Sequence, residues 1–187
     1  RLVMTADPNR VNFVDADAGC VLGELPGGSN ATIPTPIILP DGAHGIVHYG
    51  QGNLRLFDLK SRSCLAETKL IDNIDCSGNK IYLSPDGSHL LCLGHMRTKL
   101  FKTSNLTCLW TDPSSYTFAF FLPTGDYFIA ARRDGNICRI ETVTGTIAET
   151  VDSRINLDVF SSVNTDGTLI LAQDGTCYQI DYRYEVE

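Results

Sequence analysis

Four histidines and seven cysteines are the residues of this 187-residue chain that could hold a metal ion, move a proton or do thiol chemistry. His44 and His48 lie on or beside one hairpin. Four residues of extended chain span about 13 Å, too far for two side chains to share one ion. His89 and His95 have no ligand-spaced neighbours, so all four histidines read as structural. The cysteines are Cys20, Cys64, Cys76, Cys92, Cys108, Cys138 and Cys177, with no pair closer than 12 residues. That spacing fits neither a zinc knuckle nor a redox dithiol, and an odd count does not make a complete disulfide framework. Most sit among apolar residues, as in Leu90-Leu91-Cys92-Leu93, and are expected to be reduced thiols acting as small core residues. Asp15-Ala16-Asp17 starts like a calcium loop but lacks the third oxygen position, the glycine and the distant glutamate. No local Ser, His and acid arrangement and no glycine-rich phosphate loop stands out. The sequence therefore predicts no catalytic residue, no metal site and no cofactor.

Charge narrows the partners. Fifteen basic residues against 22 acidic ones leave a net charge of −7, without a basic run. Nucleic acids and anionic membranes both require clustered Lys and Arg, so neither is an expected partner. No apolar stretch reaches the roughly 18 residues of a membrane span. The first residues, Arg1 to Thr5, lack both a signal-like apolar run and an initiator Met, so the chain is expected to be a piece of something longer. Two sequons, Asn30-Ala31-Thr32 and Asn105-Leu106-Thr107, favour secretion; the unpaired cysteines favour an intracellular, cytoplasmic protein, which is the expectation adopted.

The elements that must position any site repeat along the chain. Apolar runs flank turns centred on Gly42, Gly87, Gly125 and Gly167, at intervals of 45, 38 and 42 residues. Asp-Gly and Pro-Asp-Gly supply the positive φ of tight hairpins. A second series closes short strands with an apolar residue and usually an acid: Val14-Asp15, Phe57-Asp58, Phe101-Lys102, Ile140-Glu141 and Ile180-Asp181. Strands beginning Cys20, Cys64 and Cys108 follow at steps of 44, so these three cysteines are expected to share one repeat position. A period of about 40 residues with four short strands per period is the signature of propeller blades. The fold class is all-β, a β-propeller of four-stranded antiparallel blades, with at least sixteen strands and almost no helix.

Ser84-Pro85-Asp86-Gly87, followed by Leu90-Leu91-Cys92 and Leu100-Phe101, resembles the first hairpin of the WD-repeat family, and Leu56-Phe57-Asp58 resembles its third-strand ending. There is no Trp-Asp dipeptide, and Gly94-His95 is misplaced for the family's Gly-His signature, so the repeats are divergent. The resemblance implies a single domain over residues 1–187 with blade boundaries near 1–30, 31–74, 75–114, 115–154 and 155–187. About 4.5 to 5 blades would be present, as part of a seven- or eight-bladed ring, with a closed five-bladed ring as the alternative.

A non-catalytic protein–protein interaction scaffold, and not an enzyme, is the function expected from this fold. The alternatives are an extracellular ligand-binding propeller and a propeller enzyme with its site at the central channel. The candidate protein-binding residues are Arg97, Tyr116, Arg132, Arg133 and Arg154, which the register brings to one face. Arg and Tyr are enriched at interface hot spots, and an acidic or polar peptide segment is the expected partner. Charge reversal at Arg132 and Arg133 would then weaken binding without lowering stability. The connection from Pro26 to Pro36 is expected to be mobile rather than adhesive.

Overall fold

A computed structural model describes residues 2–7, 10–25, 34–49, 52–70, 80–94, 96–152, 160–163, 169–172 and 177–179. The described residues form eighteen strands and no α-helix. The first sheet holds β1 (Leu2–Asp7), β2 (Arg10–Asp15) and β3 (Cys20–Leu25). The second holds β4 (Thr35–Ile38), β5 (His44–Tyr49), β6 (Asn53–Asp58) and β7 (Cys64–Lys69). The third holds β8 (Lys80–Leu83), β9 (His89–Leu93), β10 (Thr98–Lys102) and β11 (Cys108–Asp112). The fourth holds β12 (Tyr116–Phe121), β13 (Tyr127–Arg132), β14 (Asn136–Glu141) and β15 (Ile147–Asp152). The last holds β16 (Phe160–Val163), β17 (Leu169–Ala172) and β18 (Cys177–Gln179). Each sheet is an antiparallel meander in chain order, the blade of a β-propeller.

This meander sends the turn after the first strand and the turn after the third to one end of each blade, here the hairpin end. The turn after the second strand and the crossover to the next blade lie at the opposite, crossover end. The core sits between neighbouring blades. Ile46, Leu54 and Leu56 of the second sheet pack with Leu90, Cys92 and Phe101 of the third. Leu91 and Leu100 of the third pack with Ala119, Phe128 and Cys138 of the fourth. A strand that faces a neighbour on both sides has apolar residues at every position, and β5 and β9 are buried almost throughout.

The acid series has a physical cause. The backbone N–H groups of Gly19, Arg62, Leu106 and Gly145 each close a turn onto the carbonyl four residues back, on Asp15, Asp58, Lys102 and Glu141. The closing residue is left-handed in all four, with φ of 67°, 61°, 55° and 71°. The acid caps that turn. Asp15 Oδ1 accepts from the N–H of Asp17 and of Ala18, at 2.9 and 3.2 Å. Asp58 Oδ1 accepts from Ser61 N–H at 2.6 Å, and Glu141 Oε2 from the Thr144 hydroxyl at 2.6 Å. Lys102 has no acceptor, and in its turn Asn105 Oδ1 takes the Thr107 N–H at 3.1 Å instead. A bulge follows every one of these turns.

The register corrects the cysteine expectation. Cys64 pairs with Phe57 and Cys108 with Phe101, but their counterpart in the first sheet is Val21, which pairs with Val14. Cys20 lies one residue earlier, opposite Asp15. The acids at 15 and 58 are 43 residues apart while Cys20 and Cys64 are 44 apart, so the two series cannot both hold across the first blade. All three thiols are exposed and unpaired; Cys92 and Cys138 are the buried ones that fit the core reading.

The left-handed residue also couples successive blades. Gly23, Ala66 and Trp110 occupy equivalent places in outermost strands, opposite Phe13, Leu56 and Leu100. Each meets the left-handed residue of the next blade, and their sizes compensate. The Arg62 guanidinium lies where a Gly23 Cβ would be, 2.3 Å from its Cζ, and donates to the Leu22 carbonyl at 2.7 Å. Ala66 packs against the cluster that holds Leu106. The Trp110 ring covers Gly145, where a Cβ would come within 3.0 Å of it. Arg62 and Leu106 pay about 1–2 kcal/mol each for their backbone conformation, offset by the carbonyl contact in one case and by burial in the other.

A proline–glycine contact repeats at the hairpin end. Pro40 leans on Gly87, whose φ is +74°, and an added Cβ there would lie 2.4 Å from the Pro40 Cδ. Gly87→Ala is therefore expected to destabilise the protein by about 3 kcal/mol, from left-handed strain plus overpacking. Urea unfolding measures it, and an unchanged midpoint would contradict the contact.

Candidate functional site

Three places combine reactive or recognition side chains. The first, at the crossover end, gathers two of the sequence candidates. Asp112 ends β11 and Tyr116 begins β12, and the Tyr116 hydroxyl donates to Asp112 Oδ2 at 2.7 Å. Asp112 Oδ1 accepts the Ser114 N–H at 2.7 Å. Arg132, the last residue of β13, donates to the Ser114 hydroxyl at 3.0 Å and lies 5.9 Å over the Tyr116 ring. Burial, then the neighbouring carboxylate, pushes the Tyr116 pKa up. Burial also works against the charge of Asp112, but the Ser114 and Tyr116 hydrogen bonds outweigh it and its pKa is lowered. This is a brace across the crossover between the third and fourth blades.

Tyr116 is 4% exposed, so the expected surface tyrosine is an internal strut. Its placement in the crossover is also corrected, to the first position of β12. Arg132 is likewise committed to the brace, and its charge reversal should now lower stability, the reverse of the sequence expectation. Arg97 and Arg133 are exposed in successive second-to-third-strand turns. Arg154 lies outside the described residues, as does most of the Pro26 to Pro36 connection. The spacing of one hydroxyl, one carboxylate and one guanidinium gave no hint that they bind one another.

The second place is the hairpin end, where repeat-equivalent residues His44 and His89 each meet an aspartate. His44 Nδ1 donates to Asp41 Oδ2 at 2.7 Å. In the next blade a serine intervenes: the Ser88 hydroxyl donates to Asp86 Oδ2 at 2.6 Å and stands 2.7 Å from His89 Nδ1. The structure thus links a Ser, a His and an acid where the sequence suggested none. Serine, not histidine, is central, so the order is wrong for nucleophile activation by histidine. The Ser84 hydroxyl, then that of Ser88, hold Asp86 down to about 2. His48 is buried with Nε2 unpartnered. Burial lowers its pKa, so it is carried neutral. Among the described residues no group of three metal-ligating side chains assembles.

Asp86 makes stability depend on pH. Its folded pKa of about 2 lies below the ordinary 3.8, so its contribution is whole above pH 3.8 and is lost as pH falls toward 2. Asp86→Ala should flatten the acid limb of the stability curve in that window and leave its slope near neutrality unchanged. An acid limb of unchanged slope in the variant would contradict the capping role.

The third place is an aromatic group on β8 and β12, the first strands of the third and fourth sheets. The Tyr82 and Phe118 rings meet edge to face at 6.0 Å, and Phe118 and Phe120 are 5.9 Å apart. All three are only half-buried. Lys80 is exposed beside them, its Nζ donating to the Thr117 carbonyl at 2.9 Å. Tyr82 also packs against the core cluster that holds Leu91, Ala119 and Phe128, so what the group leaves to solvent is partial ring surface and one positive charge. The signal is present in the sequence as Phe118-Ala119-Phe120 and Tyr82.

No family model and no curated protein matches the chain. Among solved structures 1339 chains match. One is "Dihydro-heme d1 dehydrogenase NirN in complex with DHE", with a TM-score of 0.74 and 18% identity. The alignment covers 96% of this chain and 41% of that one. What the two share is the β-propeller. The matched propeller is an enzyme, which corrects the reading of this chain as a non-catalytic interaction scaffold and as a non-enzyme. The interaction argument rested on what propellers commonly do, and a fold hosts many functions.

Proposed function

We propose that this chain is part of a propeller enzyme whose substrate, a planar tetrapyrrole-type molecule, binds at the central channel. The observation that carries this reading is the likeness to the dihydro-haem d1 dehydrogenase over 96% of the chain. The half-buried rings of Tyr82, Phe118 and Phe120 support it, because they give the channel wall the π surface that a flat macrocycle needs. Lys80 would meet a carboxylate on the macrocycle's edge. Within the propeller, the Ser84-Pro85-Asp86-Gly87 hairpin and the acid-capped turns support a divergent WD-like repeat.

The test is an absorbance titration with haem as probe. Saturable binding in the micromolar range, weakened at least tenfold by Phe118→Ala and severalfold by Lys80→Ala, supports the reading. Absence of saturable binding, or binding indifferent to both substitutions, would overturn it.

A further inference from the structure

His48, next to last in β5, is 7% exposed and its Nε2 has no hydrogen-bond partner. Native interiors rarely leave such an atom unpaired. His48 lies opposite Leu54 of β6 and shares its face of β5 with Ile46. That face belongs to the seam between the second and third blades, where Ile46 and Leu54 pack with Leu90, Cys92 and Phe101. Cys92 is 4% exposed, and burial pushes its thiol pKa up, so it stays protonated. The other titratable groups on this seam do not serve the ring. Lys99, opposite Cys92, brings a further positive charge, and Cys108 is exposed beyond Phe101. Asp41, His44, Asp58 and Asp86 sit at the hairpin end, four strand residues or about 13 Å away. Burial alone lowers the pKa of His48, so among the described residues no carboxylate holds a proton on it.

We propose that this seam is an acid-operated latch, in which protonation of His48 parts the second blade from the third and uncovers Cys92. A closed seam offers an imidazolium neither water nor a carboxylate, so the proton binds only where the seam has opened. The ordinary pKa of 6.5 then belongs to the open state, and the closed state has a lower one. The seam is fully stable above pH 6.5 and loses stability as pH falls below it, well clear of the Asp86 window. Cys138 supplies the comparison. It is equally buried in the next seam, among Leu91, Leu100 and Phe128, and among the described residues no buried histidine lies with it. The latch is independent of the reaction proposed above.

Thiol labelling reads the latch directly. The protein is exposed briefly to 4,4′-dithiodipyridine, a disulfide that reacts in mild acid, and labelled peptides are quantified by mass spectrometry, with exposed Cys64 as internal standard. The ratio of Cys92 to Cys64 labelling should rise severalfold between about pH 7.5 and about pH 5.5. The ceiling is about tenfold, reached when the closed seam excludes the proton entirely. Cys138 should show no such rise. His48→Leu should keep Cys92 protected at both pH values. His48→Gln keeps a polar group that cannot titrate, and should give Cys92 labelling that does not change with pH. A flat Cys92 ratio in the wild type, a parallel rise at Cys138, or acid dependence surviving in either variant would overturn the proposal.

Discussion

Trp110→Ala is expected to remove about 4 kcal/mol of stability, the largest effect of any single substitution considered for this fold. The indole stacks on Phe128 at 6.0 Å with the planes 12° apart, so it fills the seam between the third and fourth blades. Its Nε1–H donates to the Thr142 carbonyl at 2.8 Å, tying β11 to the next blade's turn. It also covers Gly145, which has no side chain to fill the space once the ring is gone. Trp110→Phe keeps the stacking and loses the hydrogen bond, and should cost about 1–2 kcal/mol. Denaturant unfolding of the two variants measures the difference. Equal losses in both would mean that the ring does not carry the seam.

Tyr116→Ala should cost about 3–4 kcal/mol, and Tyr116→Phe about 1–3 kcal/mol. The alanine leaves a cavity beside Ala119 and Phe128, within whose cluster Tyr116 packs. The phenylalanine keeps that packing but leaves Asp112 Oδ2 without the hydroxyl that stands 2.7 Å away. The pH dependence separates the two effects. Loss of the hydroxyl raises the Asp112 pKa toward its ordinary 3.8, so the Asp112 share of stability, lost as pH falls through the folded pKa, shrinks. Tyr116→Phe with wild-type stability would show that the brace does not hold the crossover.

Much of the architecture was legible because turns have local chemistry. The Asp-Gly hairpins and the capping acids act within four or five residues, so their spacing betrays the blade period directly. The first-blade cysteine misled because a residue type was used as a register mark where only the turn length sets the register. Tyr116 and Arg132 misled for another reason. Their composition matches a binding surface, but Tyr and Arg suit an internal brace equally well, and only packing decides between the two. The blade couplings were illegible in principle: Arg62 reaches a carbonyl 40 residues back, and the coupled residues differ at every interface. What recurs is their combined size, and no single position shows it.

The channel reading is tested most directly by a structure of the protein soaked or co-crystallised with a haem-type tetrapyrrole. The account predicts density for the macrocycle against Tyr82, Phe118 and Phe120, with an edge carboxylate at Lys80. A macrocycle bound on the outer strands, or a channel wall left empty under saturating ligand, would contradict it.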